Sequence, residues 1–332
     1  MKIAIVILNW NGQKLLAQFL PSIIEFSHNL ATIYVADNAS TDNSISYIQE
    51  FFPSVKIIEN SVNGGYAKGY NDALQKVDAD IYCLLNSDIA VTKNWLTPIL
   101  KTFKEEKNTA IIQPKILDYN NKTKFEYAGA AGGFIDLLGY PYCRGRLFET
   151  LEEDKNQFNN NTEIFWASGA CLFIRAKTYH EVGGLDEDYF AHQEEIDLCW
   201  RVKNIGKTIK YVGQSTVYHI GGATLLETNP QKTYLNFRNS LLNVVKNVPK
   251  KWFLIVIFSR LILDGIAGIK FLLELRPVHT LAILKAHFSF YSNFYKFLRK
   301  RKKLHKNQDY YIHTSIVWQY FFRGRKTFEE LN

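Results

Sequence analysis

The chain has 332 residues, 47% of them hydrophobic, and carries 40 Lys and Arg against 32 Asp and Glu, a net charge of +8. This length indicates about two domains, and the apolar content excludes an intrinsically disordered protein. The four cysteines form no Cys-x-x-Cys pair, which argues against a zinc ribbon or a thioredoxin-like site. They favour a reduced, cytoplasmic chain. The apolar run at residues 3–8 is too short for a signal peptide and predicts a buried first strand.

The charge is distributed unevenly along the chain. Residues 231–332 hold 19 basic and 5 acidic side chains, a net charge of +14, whereas residues 1–230 hold 21 and 27, a net charge of −6. This asymmetry predicts two parts with different functions, an acidic part at residues 1–228 and a helical, basic part at residues 229–332.

The acidic part alternates short apolar runs with helical patterns, in the β-α-β-α-β order that indicates an α/β fold with a parallel sheet. Ligands of such sheets bind beyond the carboxyl ends of the strands. Polar clusters follow three of the predicted strands, at residues 9–11, 37–38 and 86–88. The predicted strands lie at residues 3–8, 32–36, 55–58, 81–85, 209–212 and 216–219, with a strand or strand-turn at 165–175 and a polar loop at 149–162.

The basic part contains helical patterns at residues 234–248, 252–275 and 280–298, followed by five consecutive basic residues at 299–303. Its second helix carries four charges that fall within an arc of about 120° on a helical wheel. This pattern predicts a helix in a membrane interface, beside an aromatic and basic segment that suits anionic headgroups. The alternative is a helical core with a solvated charged edge. No nucleic-acid-binding motif is present, so we expect no nucleic-acid partner. The four charges are Arg260, Asp264, Lys270 and Glu274.

Several polar residues at strand ends have both a structural and a chemical interpretation. Asp37 fits an Asx turn or a helix cap, or a carboxylate that binds a nucleotide. The glycine-containing segment at residues 63–71 allows close backbone approach to phosphates, but matches neither the Rossmann nor the Walker pattern. The absence of the Rossmann pattern argues against a nicotinamide-dependent oxidoreductase. Asp88, after a buried strand, fits a turn or a ligand of a divalent cation that neutralises a diphosphate.

A second acidic cluster contains Glu194, Glu195 and Asp197. Crowding and burial raise the pKa of a carboxyl group, which suits a general base, although a solvated helix N-terminus is the simpler interpretation. His219 is either a metal ligand or a histidine satisfied within the core.

The order of these motifs is more specific than any one of them. Over residues 1–225 the sequence resembles a family 2 glycosyltransferase of the GT-A fold, in the rhamnosyltransferase-like branch. The resemblance rests on Asn9-Trp10-Asn11-Gly12, Asp37-Asn38-Ala39-Ser40-Thr41-Asp42, Asn63 with its glycine loop, Leu84-Leu85-Asn86-Ser87-Asp88, Ser168-Gly169-Ala170, Gly183-Gly184-Leu185-Asp186-Glu187, Glu194-Glu195-Ile196-Asp197-Leu198 and His219.

The resemblance implies a Rossmann-like mixed sheet that binds a nucleotide-sugar donor through residues 1–115 and the acceptor through residues 116–228. Asp88 and His219 would hold Mg²⁺ or Mn²⁺ against the diphosphate of the donor. Asn86 replaces the first Asp of the family's metal motif, so one carboxylate ligand is missing. The residues implied on the donor side are Asn9, Asn11, Asp37, Asn38, Asn63, Gly65, Asn71, Asn86 and Asp88.

On the acceptor side the resemblance implies Trp166, Gly169 and Asp197, with Asp197 supporting the site or capping a helix. Glu195 aligns with the family's catalytic Asp and would be the general base, with Glu194 as the alternative base.

The predicted function is inverting transfer of a sugar from dTDP-rhamnose or a UDP-hexose to a glycan or lipid-linked glycan in cell-surface polysaccharide synthesis. We expect a cytoplasmic protein at the inner face of the cell membrane. The alternative is a non-catalytic member of the same fold that binds a nucleotide sugar or a polysaccharide, which the departures at Asn86 and Glu195 favour.

Overall fold

The computed structural model describes residues 1–221, 229–301 and 309–331. Within them the strands are β1 Ile3–Asn9, β2 Thr32–Asp37, β3 Lys56–Glu59, β4 Ile81–Asn86, β5 Ile89–Val91, β6 Thr109–Asp118, β7 Gly133–Ile135, β8 Pro141–Cys143, β9 Arg146–Leu147, β10 Thr150–Leu151, β11 Thr162–Glu163, β12 Cys171–Arg175 and β13 Thr208–His219. The helices are α1 Gln13–Ser27, α2 Ser44–Phe51, α3 Gly65–Leu74, α4 Leu96–Glu105, α5 Ala176–Val182, α6 Glu194–Asn204, α7 Pro230–Asn247, α8 Phe253–Leu273 and α9 Pro277–Lys300.

The main sheet has the strand order β3-β2-β1-β4-β12-β6-β13-β11, with β5 also paired to β13. Strands β3, β2, β1 and β4 are parallel to one another, whereas β12 runs antiparallel to both β4 and β6. The register places Asn9 beside Asp37 and Leu8 beside Asn86. The predicted polar clusters therefore lie at one edge of the sheet. Together with the helical C-terminal region, this architecture confirms the predicted α/β fold class.

Both faces of the sheet are covered, so the central strands are apolar on both sides. Alternate residues of β1 point to opposite layers: Ile5 packs with Leu16 and Phe19 of α1, and Val6 packs with Tyr70 of α3. All four cysteines are buried free thiols.

Some predicted strand boundaries were wrong. The two short strands expected at residues 209–212 and 216–219 form one strand, β13, with a register shift between Val212 and Thr216. Between these two residues, the Ser215 hydroxyl donates to the Trp95 carbonyl, which stabilises the irregular part of β13. The polar loop expected at 149–162 contains β10, and the strand expected at 165–175 is confined to β12. Sequence periodicity misses such short strands because two residues show no period.

Helix α7 packs directly against the acidic part, and Leu241, Leu242, Val244 and Val245 are all buried. The predicted boundary between residues 228 and 229 touches residues 222–228, which lie outside the described residues, as do Lys302 and Lys303 of the predicted basic run. In the described ranges, no helix is both long and apolar enough to cross a membrane.

The alternative prediction, a helical core with a solvated charged edge, fits only two of the four charges. Arg260 and Asp264 are buried, and the Arg260 guanidinium lies 3.8 Å from the centre of the Tyr140 ring. Arg260 also donates to the Leu138 carbonyl, and Asp264 accepts from Tyr140 and faces His287. These partners come from a distant turn that a helical wheel does not contain. Lys270 and Glu274 pair at the surface.

Candidate active site

The ends of β1 and β2 are joined through their side chains. The Asn9 amide donates to Asp37 Oδ2 at 3.0 Å and to the Ser40 hydroxyl at 3.3 Å. Asp37 Oδ1 accepts from the Ser40 backbone N–H at 2.8 Å. Both residues are buried, and Asn9 Oδ1 has no hydrogen-bond partner. Asn9 and Asp37 thus hold the strand ends together and shape the floor of the cleft.

Asn11 organises the loop after β2. Its side-chain oxygen accepts from the backbone N–H of Thr41 at 2.7 Å and of Asp42 at 3.3 Å, and its own N–H donates to the Ser40 hydroxyl. Its φ of 51° lies in the left-handed region, which Asn tolerates better than most residues. Asn11 therefore fixes the shape of the loop that follows Asp37.

An amide chain supports the glycine loop. The Asn38 amide donates to Asn63 Oδ1 at 2.8 Å and to the Gly65 carbonyl at 3.2 Å, and Asn38 Oδ1 accepts from Asn60. Gly65 has a φ of 81°, and a Cβ at this position would lie 2.9 Å from the Phe190 carbonyl oxygen. Only glycine allows this contact, which joins the donor-side loop to the segment before the acidic cluster.

Asn71 is bound on every side by protein groups. Its amide donates to the Leu185 carbonyl and to Glu187, and its oxygen accepts from the Tyr179 hydroxyl and the Leu185 N–H. The structure thus places Asn71 as a tie between α3 and the turn before the acidic cluster. The prediction that it lines the donor pocket stays untested.

At the end of β4, Asn86 and Ser87 are partly exposed, whereas Asp88 is buried. Asp88 Oδ1 lies 3.1 Å from His219 Nε2, because β5 pairs His219 with Ile89. On the other side of the imidazole, Nδ1 lies 3.3 Å from Oε1 of Glu126, a buried carboxylate. Burial alone would lower the pKa of His219, but hydrogen bonding to Asp88 and Glu126 outweighs it and raises the pKa to about 10.

This arrangement is compatible with a divalent metal. Two ligands about 2.1 Å from Mg²⁺ and at right angles to each other are about 3.0 Å apart, close to the observed Asp88–His219 separation. The carboxylate of Glu126 behind the imidazole is the usual outer partner of a ligating histidine. In the described part of the chain no three His, Cys, Asp or Glu side chains converge to hold a metal alone. Mg²⁺ usually takes its remaining ligands from water and substrate phosphates.

The two candidate bases begin helix α6. Glu194 is buried and Glu195 is partly buried. Burial raises the pKa of Glu195 to about 7, although backbone N–H groups of the first helical turn partly offset this effect. Burial, followed by repulsion from Glu195, raises the pKa of Glu194 well above its usual range. Such carboxyl groups can exchange protons near neutral pH.

Tyr66 and Gly169 lie beside these carboxylates. The Tyr66 hydroxyl donates to the Gly169 carbonyl at 2.6 Å, and both glutamates contribute to the raised pKa of this tyrosine. A Cβ on Gly169 would lie 3.8 Å from the Glu195 Cβ and 3.0 Å from the Tyr66 hydroxyl. Gly169 thus lies close to both Tyr66 and Glu195.

Trp166 and Asp197, predicted on the acceptor side, are buried. The Trp166 indole N–H donates to the Phe134 carbonyl, and its ring covers Gly133. Asp197 contacts Arg201, Lys246 and Asn247. Burial would raise the pKa of Asp197, but the two cations outweigh it and lower the pKa to about 2. Asp197 therefore supports the start of α6.

The backbone before Glu194 is strained and is held by helix α7. Phe190, His192 and Gln193 have φ values of 65°, 67° and 75°, and such conformations persist only where the surroundings fix them. The Asn239 amide faces the carbonyls of Tyr189, Ala191 and His192 at 3.1, 2.9 and 2.7 Å.

Asn243 extends this clamp. Its amide donates to the Gln193 carbonyl at 3.1 Å, and its oxygen accepts from the Tyr189 hydroxyl at 2.8 Å.

Sequence reasoning missed Glu126, Tyr66, Asn239 and Asn243. Glu126 follows no recognisable motif. A signal did exist on α7, where Asn239, Asn243 and Asn247 recur every four residues and so share one helical face.

The geometry agrees with comparisons to known proteins. Residues 4–183, more than half of the chain, match the model of "Glycosyl transferase family 2", and the chain belongs to this family. It is 25% identical over 222 residues to the N-acetylglucosaminyl-diphospho-decaprenol L-rhamnosyltransferase of Mycobacterium tuberculosis, covering 61% of this chain and 71% of the relative. It is 24% identical over 253 residues to the low-salt glycan biosynthesis hexosyltransferase Agl10 of Haloferax volcanii, covering 72% and 74%. These relatives support the rhamnosyltransferase-like branch.

Among solved structures, the chain resembles GalNAc-T7 with UDP, GalNAc and Mn²⁺, with a TM-score of 0.59 and 17% identity. The match covers 76% of this chain and 49% of that one. This likeness supports the GT-A fold.

Replacing Asn239 with Ala tests the clamp. The variant loses the donor that three backbone carbonyls share, so we expect about 1–3 kcal/mol lower stability and at least about tenfold faster hydrogen exchange in residues 188–195. Asn293→Ala is the matched control, since the Asn293 amide bonds only within its own helix. Equal exchange in the two variants would show that Asn239 does not hold the loop.

Proposed function

We propose that the chain is a metal-dependent, inverting glycosyltransferase that moves a sugar from dTDP-rhamnose or a UDP-hexose to a glycan or lipid-linked glycan acceptor. The main support is Glu195, a partly buried carboxylate with a pKa of about 7 that lies beside Gly169 and Tyr66 at the start of α6. The family is shared with a rhamnosyltransferase and a hexosyltransferase. This activity would belong to cell-surface polysaccharide synthesis at the inner face of the membrane.

On the acceptor side, Glu195 acts as the general base. A sugar hydroxyl is a poor nucleophile, and a carboxylate that removes its proton during attack lowers the barrier. The proton moves from the acceptor oxygen to a Glu195 oxygen while that oxygen bonds to the anomeric carbon and the bond to the diphosphate breaks. One displacement from the opposite face inverts the anomeric configuration. Glu194 is more buried, and repulsion from Glu195 raises its pKa further.

On the leaving-group side, Asp88 and His219 would hold Mg²⁺ or Mn²⁺. A bound metal offsets the negative charge that develops on the nucleoside diphosphate. The Glu126 carboxylate, 3.3 Å from Nδ1, would orient the imidazole so that Nε2 faces the metal. Asn86 would contribute a neutral amide where the family usually has a carboxylate. Because the protein supplies one negative ligand fewer, it should bind the metal ion more weakly when the donor diphosphate is absent.

On the donor side, Asp37 and Asn38 line the cleft at the end of β2. Their known partners leave each carboxylate oxygen of Asp37 one further lone pair, which can accept a hydrogen bond from the base or ribose. Asn9, Asn11, Asn63 and Gly65 would fix the shape of this pocket.

A non-catalytic sugar-binding protein is the second candidate, favoured by Asn86. Such a protein has no need of two adjacent carboxyl groups with raised pKa values, so catalysis explains more of the site.

Glu195→Gln tests the base. We expect donor binding to persist, as a thermal shift with UDP-glucose or dTDP-rhamnose and Mn²⁺, while transfer to a GlcNAc-diphospho-lipid falls at least about 100-fold. Glu195→Asp, which restores the family's residue, should keep measurable transfer. Glu194→Gln should lose less activity than Glu195→Gln. Near-normal transfer by Glu195→Gln would exclude Glu195 as the base.

Glu126→Gln tests the metal site without removing a ligand. The amide holds the imidazole less firmly, so Mn²⁺ affinity in the presence of UDP should fall about 10- to 100-fold in an electron paramagnetic resonance titration. Glu153→Gln is the control, because Glu153 is an exposed carboxylate. Equal affinities in both variants would contradict the assignment of His219 as a ligand.

A further inference from the structure

Helices α8 and α9 expose apolar side chains in regular rows. Phe258, Ile262 and Ile266 follow one another along the outer side of α8, and each is at least 50% exposed. Leu281, Leu284 and Phe288 do the same on α9, with Phe288 at 73%. The spacing of three or four residues puts each row on one side of its helix. We call these two rows the hairpin face.

The two helices are neighbours, so the rows belong to one hairpin. Glu274, Leu275 and Arg276 connect them, and the Thr280 hydroxyl donates to the Gly268 carbonyl at 2.8 Å. The helices are close at this point, since a Cβ added at Gly268 would be in van der Waals contact with Thr280 at 3.6 Å.

The inner side of α8 carries charged side chains. Arg260 and Asp264 are buried against Tyr140, and His287 of α9 faces Asp264 at 3.2 Å. An amphipathic helix in water buries its apolar side and exposes its charges. Helix α8 does the opposite, which indicates that its outer side meets an apolar medium or surface.

The charges around the hairpin face are mainly positive. Lys250 and Lys251 lie exposed before α8, and Lys285 and Arg299 lie exposed on α9. Glu274, the single acidic side chain at the surface of residues 250–301, pairs with Lys270 at 2.8 Å. A second copy docked through this face would bring like charges together, which disfavours association. Anionic lipid headgroups complement them.

We propose that the hairpin face inserts into the headgroup region of an anionic lipid leaflet, with α8 and α9 lying in the plane of the membrane. The aliphatic and aromatic rows enter the acyl boundary, and the lysines and arginines at its margins contact lipid phosphates.

The hairpin is attached firmly to residues 186–189, which precede the candidate bases on α6. The Tyr189 ring packs edge-on against Phe297 with 5.5 Å between ring centres. Lys300 at the end of α9 pairs with Asp186 and Asp188. An inserted hairpin therefore holds the membrane at a fixed distance from Glu195. This distance would suit a lipid-linked acceptor, a point that rests on the proposed function. The insertion itself does not depend on the proposed function.

Vesicle flotation tests the insertion with the full chain. The wild type should float with vesicles of 70% phosphatidylcholine and 30% phosphatidylglycerol, bind pure phosphatidylcholine at least tenfold more weakly, and partly dissociate in 0.5 M NaCl. Phe258→Glu combined with Ile266→Glu should reduce binding at least tenfold. The matched control is Phe51→Glu, an exposed phenylalanine of α2 at 56%, which should bind as the wild type does.

Depth measurement separates insertion from surface adsorption. A spin label on Ile262→Cys reacts selectively because the four native cysteines are buried. With vesicles present, oxygen should relax this label more than a nickel chelate does, and the reverse should hold for a label on Phe51→Cys.

The proposal would be overturned if the wild type stays unbound with anionic vesicles, or if the double Glu variant binds as well as Phe51→Glu. A wild type that is dimeric in sedimentation and becomes monomeric in the double Glu variant, without vesicle binding, would assign the face to a second copy instead. Donor hydrolysis by the double variant should equal that of the wild type, so a failure here is distinct from a failure of the proposed function.

Discussion

The structure depends on one charged contact between the acidic and basic parts of the chain. Lys246 of α7 lies 2.7 Å from Asp186 and 2.9 Å from Asp197, and all three side chains are nearly inaccessible. Breaking a buried ion pair by removing one partner costs about 3–5 kcal/mol, since it leaves an uncompensated charge. The uneven charge of the sequence is therefore partly an internal complementarity. The basic part supplies cations that pair with buried carboxylates of the acidic part, at Asp186 and Asp197.

This contact connects helix α7 to the start of α6, where the two candidate bases lie. Because Lys246 fastens α7 over the start of α6, the amides of Asn239 and Asn243 reach the strained carbonyls before Glu194. Burial at the start of α6 raises the pKa of Glu195 to about 7. Asp197, two residues further on, has the opposite shift because two cations touch it. Carboxylates two residues apart thus have different pKa values because their neighbours differ.

The sequence predicted the strands β1, β2 and β4 and the polar groups at their ends, because apolar runs and turn residues are local signals. It also predicted α8 and α9 closely. It did not predict that Arg260 and Asp264 turn inward, since their partner Tyr140 lies more than a hundred residues away. Glu126 escaped notice for the same reason: its role exists only once β6 and β13 bring it to His219. Asn71 is a motif residue that also has a structural contact, since its amide group joins α3 to the turn at Leu185.

The central claim is that the covered Glu195 is the base of the transfer reaction, and the pH dependence of kcat/KM tests it most directly. At saturating Mn²⁺, the wild-type value should rise about tenfold per pH unit below pH 7 and level off above it, as the carboxyl group loses its proton. Glu195→Asp should keep a sigmoidal profile with a shifted midpoint. A wild-type profile that is flat from pH 5 to 8, or an unchanged midpoint in Glu195→Asp, would contradict the account.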